Sequence, residues 1–380
     1  MSASRSRRSL LIPFLIVALL HVYIGVRLLP DLPVPMVVHG AAVLWLVAST
    51  LLMPAALMAR RLSTPWADHL SWVGMLAMGF FSSLLILTIV RDVFLLATLA
   101  VRWHPPGLAA YSAVGAVVLA LAVTVIGFFN ARGLAKVKEV DVPISNLPDA
   151  LHGFTIAQIS DIHVGPTIKR PYIDRIVDRV NALQPDAIAI TGDLVDGSVR
   201  ELSAHTAPFG RLSARHGTYV VTGNHEYYSG AEAWIEELRR LGLRVLMNEH
   251  VVVERGNASL VLGGVTDFTA GAFIESHRSD PVRALDGAPG DAAARVLLAH
   301  QPRTAPAAAA AGFDLQLSGH THGGQFWPWN LFVPMQQPYV HGLNRHESLW
   351  VYVSRGTGYW GPPKRFGAPS EITLVRLVRA

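Results

Sequence analysis

The sequence predicts an α/β fold: a layered α/β domain preceded by a four-helix transmembrane region. Three observations carry that prediction. Long apolar segments fill residues 1–144; beyond about residue 150, short apolar runs alternate with amphipathic stretches; and five of those runs end in Asp, Asn or His.

The membrane segments come first. Residues 10–29, 36–58, 69–100 and 109–129 are each at least as long as the roughly 20 apolar residues that a helix needs to cross a bilayer. The third is long enough to tilt or to leave its end, "RDVFLLATLAVRW", in the interface. Its Arg91 and Asp92 either pair with other helices or mark the edge of the span. The basic lead "SRSRRS" fits a signal peptide, but no small-x-small cleavage site follows the first segment and three further segments do, which favours a retained anchor. Basic residues sit before the first span (Arg5, Arg7, Arg8), between spans two and three (Arg60, Arg61) and after span four (Arg132, Lys136, Lys138). With four spans these fall on one side, the cytoplasmic one, and the following domain is expected there too.

Composition agrees with this division at 144/145. The chain is 51% hydrophobic and 16% charged, apolar for a soluble protein of 380 residues. Residues 1–144 hold 11 Lys/Arg and 5 Asp/Glu, so the net +5 of the whole chain arises there. No clustered basic patch with interleaved aromatics occurs, which argues against nucleic acid as a partner. No obligate protein partner is evident either. Cysteine is absent, which excludes disulfides and thiolate metal sites.

In residues 145–380, "FTIAQIS", "DAIAIT", "TYVVTG", "HVVVER", "ASLVLGGV", "RVLLAH", "DLQLSG", "SLWVYVS" and "EITLVRLV" read as strands. "RPYIDRIVDRVNAL", with Ile173, Ile176, Val177 and Val180 on one side, reads as a helix. So do "AEAWIEELRRLG", stopped at Gly242, and "TAPAAAAAGF".

The strand ends carry the chemistry. Asp161 and His163 follow the first strand, Asp193 the second, Asn224 the third; His300 and the pair His320 and His322 follow later ones. In open α/β sheets the crevice beyond the carboxyl ends is where sites form. One such histidine alone would be an ordinary hydrogen-bonded side chain. Seven ligand-type residues at successive strand ends are costly to bury unless metallated. Imidazole, carboxylate and carboxamide without sulfur suit divalent transition metal ions: Mn2+, Fe2+, Zn2+, Co2+ or Ni2+. Seven ligands are too many for one ion with an open position and suit two ions sharing a carboxylate.

The ordered set "DIH", "GDLVD", "GNHE", "AHQP" and "GHTH" resembles the calcineurin-like metallophosphoesterases. "GHTHGGQ" and the tail "SRGTGYWGPPKRFGAPSEI" resemble the membrane-attached bacterial branch of YkuE or YaeI type. The resemblance covers about residues 150–380 and implies an α/β/β/α sandwich. It implies that Asp161, His163 and His322 bind one metal, that Asn224, His300 and His320 bind the other, and that Asp193 bridges them. It makes His225 the catalytic residue at the leaving-group oxygen. It implies hydrolysis of a phosphoester (mono-, di- or pyrophosphate) by a hydroxide bridging two ions about 3.5–4 Å apart. Glu226 and Asp196 either orient imidazoles or serve as capping acids. Arg355 is either a phosphate contact or half of a structural ion pair. The aromatic run "QFWPWNLFVP" reads as a lipid-facing rim or as a packed loop. A lipid-linked or nucleotide-diphospho-lipid substrate suits an enzyme on a bilayer. The rivals, a catalytically silent sensor and a transporter with an accessory domain, fit less well. The ligand set is complete, and no matched broken helices occur.

Overall fold

The computed structural model describes residues 2–59 and 65–380, with side chains from 12 to 59 and from 66 onward. The side chains of Arg5, Arg7 and Arg8, and residues Arg60 and Arg61, on which the orientation argument partly rests, lie outside the described residues. The chain divides into two compact units: Met1–Phe129 with Gly361–Lys364, and Asn130–Trp360 with Arg365–Ala380.

The first unit is built on helices α1 (Ser2–Leu28), α2 (Met36–Ala59), α3 (Pro65–Ala100) and α4 (Leu108–Arg132). All four are long and apolar enough to cross a membrane. The 36 residues of α3 form one helix, about 54 Å at 1.5 Å per residue, against about 30 Å of hydrocarbon. The charges inside it are paired. Arg91 donates to the Arg27 carbonyl (2.8 Å), to Ser112 Oγ (3.0 Å), to the Ala109 carbonyl (3.1 Å) and to Asp31. Asp92 accepts from Arg27 (2.8 Å) and from the Tyr23 hydroxyl (2.7 Å). Of the two readings of this charge pair, pairing with other helices is the one observed. Arg91 thus meets the end of α1 and the start of α4. The short segment Gly361–Lys364 also belongs to this unit. The Lys364 ammonium donates to the Gly79 carbonyl (2.8 Å), to Thr124 Oγ1 (3.3 Å) and to Ser83. Nothing in the sequence pattern marks that excursion.

The second unit is an α/β/β/α sandwich. In its first half are β1 (Lys136–Ile144), β2 (Thr155–Ile159), α5 (Arg170–Asn181), β3 (Ala187–Ile190), α6 (Val199–Thr206), β4 (Thr218–Val220), α7 (Asn224–Ser229), α8 (Ala231–Arg240) and β5 (Arg244–Val245). In its second half are β6 (Glu249–Arg255), β7 (Ala258–Gly264), β8 (Ala294–Leu298), α9 (Ala305–Ala311), β9 (Leu315–Ser318), β10 (Gly342–His346), β11 (Leu349–Val353) and β12 (Glu371–Arg379). One sheet runs β1-β12-β2-β3-β4-β5 and the other β10-β11-β9-β8-β7-β6. Strands β2 to β5 pair in parallel, as do β7, β8, β9 and β11, while β12 is antiparallel to β2.

Alternation along each strand assigns the layers. Ala187 and Ala189 face the inter-sheet core with Ile156, Leu262, Val296, Leu298, Leu315 and Leu317. Ile188 and Ile190 face outward to Ile173, Ile176, Val177, Leu202, Trp234 and Leu238 of α5, α6 and α8. On the far side, Leu297 and Val351 pack with Ala305 and Ala308 of α9.

The strands and longer helices predicted from the sequence are found. Strand β1, on the membrane side of the 144/145 division, pairs in parallel with β12 from Lys136↔Glu371 to Ile144↔Arg379. Short elements escape sequence reading: β5 has two residues and α7 six, too few for a periodicity to register. Trp234 is fully buried and its indole N–H donates to the Gly197 carbonyl at 2.9 Å. Trp234→Ala is expected to destabilise the sandwich by about 3–5 kcal/mol, read as the lowered denaturation midpoint of the full-length protein in detergent.

Candidate metal centre

Each candidate ligand sits where the chain leaves a strand. Asp161 and His163 follow β2, Asp193 follows β3, Asn224 starts α7 after β4, His300 follows β8, and His320 and His322 follow β9. The carboxyl ends of strands from both sheets thus meet at one crevice. The backbone there is contorted. Asp161, His163, Asp193, His320 and His322 all have positive φ, between 52° and 72°. Non-glycine residues seldom take this left-handed conformation, which costs on the order of 1–3 kcal/mol each and persists only when the surroundings enforce it. The glycines preceding the ligands permit the approach. A Cβ on Gly319 would stand 2.0 Å from Ser160 Oγ and 2.2 Å from Asp161 Oδ2; one on Gly223 would stand 2.1 Å from Asp193 Oδ1.

The side chains converge in overlapping groups, Asp161–His163–His322 and Asp193–His300–His320, with His163–Asp193–His225 between them. His163 Nε2 lies 3.1 Å from His322 Nε2, and His322 Nε2 lies 3.5 Å from Asp161 Oδ1. His300 Nε2 lies 3.2 Å from both Asp193 Oδ2 and His320 Nδ1. Asp193 Oδ2 is also 3.9 Å from His163 Nε2 and from His225 Nε2. Asp193 thus belongs to two of the three groups, with His300 and His320 in one and with His163 and His225 in the other.

Neighbouring acceptors fix which nitrogen faces inward. His300 Nδ1 donates to the Thr191 carbonyl (2.7 Å), and His163 Nδ1 to Asp196 Oδ1 (3.1 Å), leaving each Nε2 lone pair turned into the site. His225 Nδ1 donates to the same Asp196 oxygen at 2.5 Å. Asp196 is therefore an imidazole-orienting carboxylate, one of its two sequence readings. Glu226 is the other kind. It accepts from the backbone N–H groups of Gly223 (2.6 Å), Asp193 (2.9 Å) and Leu194 (2.7 Å), capping α7 while tying two ligand loops together.

Charge is concentrated where solvent is absent. Burial pushes the Asp161 carboxyl up, with Asp193 adding repulsion. Burial acts on Asp193 in the same sense, but His300 and His225 hold it well below the ordinary carboxylate value. Burial and the neighbouring His300 bring His320 down to about 3. Burial opposes protonation of His225, yet Asp193 and Asp196 raise it to about 9.

These residues fit divalent cations. Asn224 Oδ1 is buried with no hydrogen-bond partner, a state that costs free energy unless something binds it. Imidazole lone pairs face one another at 3.1–3.2 Å, and the donors are all nitrogen or oxygen. The arrangement is a binuclear divalent-metal site. Comparison with known proteins agrees: residues 154–324 match the calcineurin-like phosphoesterase family model. An uncharacterized metallophosphoesterase of Aquifex aeolicus is 30% identical over 244 residues, 64% of this chain and 91% of that protein. The chain belongs to the calcineurin-like phosphoesterase family.

Similarity to this family extends across kingdoms. A "Transmembrane protein with metallophosphoesterase domain" from Danio rerio is 40% identical over 275 residues, 69% of this chain, and the match spans 63% of that relative's own length. Bacillus subtilis YkuE is 28% identical over 252 residues, 64% of this chain and 86% of that protein. Animal and bacterial relatives both match, so the bacterial branch is not singled out.

Within the phosphoesterase domain, six of the predicted ligands fall with His225 in the groups above, and Asn224 follows Gly223, whose backbone packs against Asp193. Arg355 stands beside the His322 loop, its Cγ 3.0 Å from where a Cβ on Gly323 would sit. Its guanidinium reaches Glu371 (3.5 Å) and His341 Nδ1 (3.3 Å), while its Nε is buried without a partner. Arg365 is a further contributor that the sequence does not flag. Fully buried, it donates to the carbonyls of Gly358 (2.5 Å), Arg355 (2.6 Å) and His322 (3.1 Å), and to His322 Nδ1 (3.1 Å). An isolated "KR" in a tail carries no sign of burial. In the aromatic run, Phe326 is buried, whereas Trp327, Trp329, Leu331 and Phe332 are exposed, as is Met335 just beyond it.

Gly319→Ala is expected to push His320 off its position, because the added carbon meets Ser160 and Asp161. Metal affinity should fall roughly 10–100-fold, measured by competition with a chromogenic chelator, with circular dichroism unchanged.

Proposed function

We propose that this chain is a two-metal-dependent phosphoester hydrolase held at a membrane by its four helices. One observation carries the reading: Asp193 Oδ2 stands between two imidazole groups; the buried Asn224 carbonyl oxygen, which has no partner, adds to it. Asp161, His163 and His322 would hold one ion, Asn224, His300 and His320 the other, with Asp193 shared. When bound, the ions supply Lewis-acid polarisation of the phosphoryl group and activation of water; Mn2+, Fe2+ or Zn2+ suit the donors best.

The chain's own residues do the rest. Asp196 holds the His225 ring by Nδ1, which leaves Nε2 to carry a proton to the leaving oxygen. Asp161 accepts the His320 amide N–H through both oxygens (2.9 and 3.1 Å) and so joins the first ligand loop to the last. Arg355, beside the His322 loop, is the candidate phosphate contact, through whichever N–H groups Glu371 does not occupy.

The four helices within residues 1–144 act as the membrane region, and the sandwich, β1 together with residues 145–380, as the catalytic domain, on the cytoplasmic side that the basic residues mark. "GHTHGGQ" and the tail support a place in the membrane-attached branch typified by YkuE. A second reading, hydrolysis of a lipid-linked or nucleotide-diphospho-lipid pyrophosphate, is favoured by the exposed apolar side chains of Trp327, Trp329, Leu331, Phe332 and Met335 that follow the histidine pair.

Chelation should abolish hydrolysis and Mn2+ should restore it, with about two ions per chain by elemental analysis; one ion per active chain would refute the shared-carboxylate arrangement. Asp193→Asn should lose metal and rate together. His225→Ala should keep both ions and lose roughly 10²–10⁴-fold in rate, less on a nitrophenyl ester whose leaving group needs no proton. Equal loss on good and poor leaving groups would remove the acid role. A fluorescent protein fused after Ala380 should glow and an alkaline phosphatase fused there should be inactive; the reverse would place the domain outside.

A further inference from the structure

Three aromatic rings line up with His225 and take no part in the mechanism above. Tyr228 is 62% exposed, Phe273 50% and Trp360 44%. They form a row through the acid: Phe273 to Tyr228 at 5.6 Å, Tyr228 to His225 at 5.2 Å, and His225 to Trp360 at 5.6 Å between ring centroids. Both rings that flank His225 meet it edge to face, at 64° and 75°.

The two rings beside His225 are held in place. Tyr228 lies three residues after His225 on α7, so the two share a helix face, and Glu226 pins that helix to the Asp193 loop. The backbone of Trp360 is clamped from both sides by one side chain. Its N–H donates to Gln325 Oε1 (2.8 Å) and its carbonyl accepts from Gln325 Nε2 (2.8 Å). Gln325 is buried and follows the turn that carries His322. Large rings fixed in solvent beside a reactive group cost little entropy when they bind a ligand. A polyol or a second phosphate would gain little from such a wall, whereas a flat ring or an acyl chain would bury it.

We propose that Tyr228 and Trp360, extended by Phe273, form the leaving-group subsite, and that it selects phosphoesters whose leaving group carries an aromatic or acyl moiety. This deepens the hydrolase reading and rests on its assignment of His225 to the leaving oxygen. A leaving group that takes the proton from His225 Nε2 departs between these two rings. A lipid and a soluble aromatic ester offer the same chemistry to this wall.

The test uses full-length, Mn2+-loaded protein in detergent. One pair of substrates compares phenyl phosphate with a fluorinated alkyl phosphate of matched leaving-group acidity. The other compares a long-acyl glycerol phosphate in micelles with glycerol phosphate. The wild type should prefer the aryl ester, the acyl ester or both; preference in the first pair points to a soluble aromatic, in the second to a lipid. Tyr228→Ala and Trp360→Ala should each cut that kcat/KM ratio roughly three- to tenfold, the worth of one ring contact, while Tyr228→Phe and Trp360→Phe retain it. No preference in the wild type, or ratios untouched by the alanine variants, overturns the proposal. A binding readout separates its failure from that of the hydrolase reading. The emission of Trp360, taken as the difference between wild type and Trp360→Phe, is titrated with phenylphosphonate and methylphosphonate. If no phosphoester is hydrolysed, tighter phenylphosphonate binding that Tyr228→Ala weakens still supports the subsite, and equal binding of the two phosphonates refutes it.

Discussion

The site depends on bringing two buried carboxylates and several imidazole lone pairs to one point. Asp161 and Asp193 are buried, His163 Nε2 faces His322 Nε2 at 3.1 Å, and His300 Nε2 faces His320 Nδ1 at 3.2 Å. Without cations such a set repels itself and forgoes hydration. Burial and repulsion from Asp193 push Asp161 up, whereas the His300 and His225 imidazoles hold Asp193 down. Divalent cations resolve the conflict, and the same demand accounts for the contorted backbone around them.

That contortion is held by hydrogen bonds from one ligand loop to the next. Asp161 accepts from the His320 amide, Glu226 accepts from the Asp193 and Gly223 amides, and Arg365 caps the carbonyls of His322, Arg355 and Gly358. Each fixes a left-handed residue, or the loop that carries one, against a loop from a different strand. The two sheets are joined below the site as well, where Gln158 Nε2 donates to the Ser318 carbonyl (2.9 Å) and to Thr191 Oγ1 (2.9 Å). Geometry at the site is thus set by the sandwich itself, in keeping with ligands placed on strand ends rather than on long free loops.

What the sequence made legible follows from what has a period or a fixed order. Buried strands such as "AIAI" and the helix over Arg170–Asn181 announce themselves by spacing. The ligands announce themselves by order, since Asp, Asn and His at successive strand ends are costly to bury together unless cations hold them. Other features have no such signature. Arg365 looks like any surface arginine until its five carbonyl and imidazole contacts are seen. Strand β1 falls on the membrane side of the 144/145 division in the sequence because its partner, β12, lies more than 200 residues away. The excursion of Gly361–Lys364 into the helical unit depends on tertiary contacts alone.

Glu226 and Asp196 show how far local reasoning reaches. Both are acids close to ligands, and the sequence allows each a capping or an orienting role. Glu226 is the third residue of α7 after Gly223, the position from which a carboxylate returns to the N-cap amide, and its second oxygen is left for the amide of Leu194. Asp196 starts no helix; it follows the short bridge between Val164 and Val195, which draws the two ligand loops side by side. From there one oxygen reaches both His163 and His225. The His163 and His225 imidazoles therefore lean on a single carboxylate. A displacement of Asp196 would move the two together, which, with the roles proposed for His225 and His163, couples the position of the acid to that of a metal ligand.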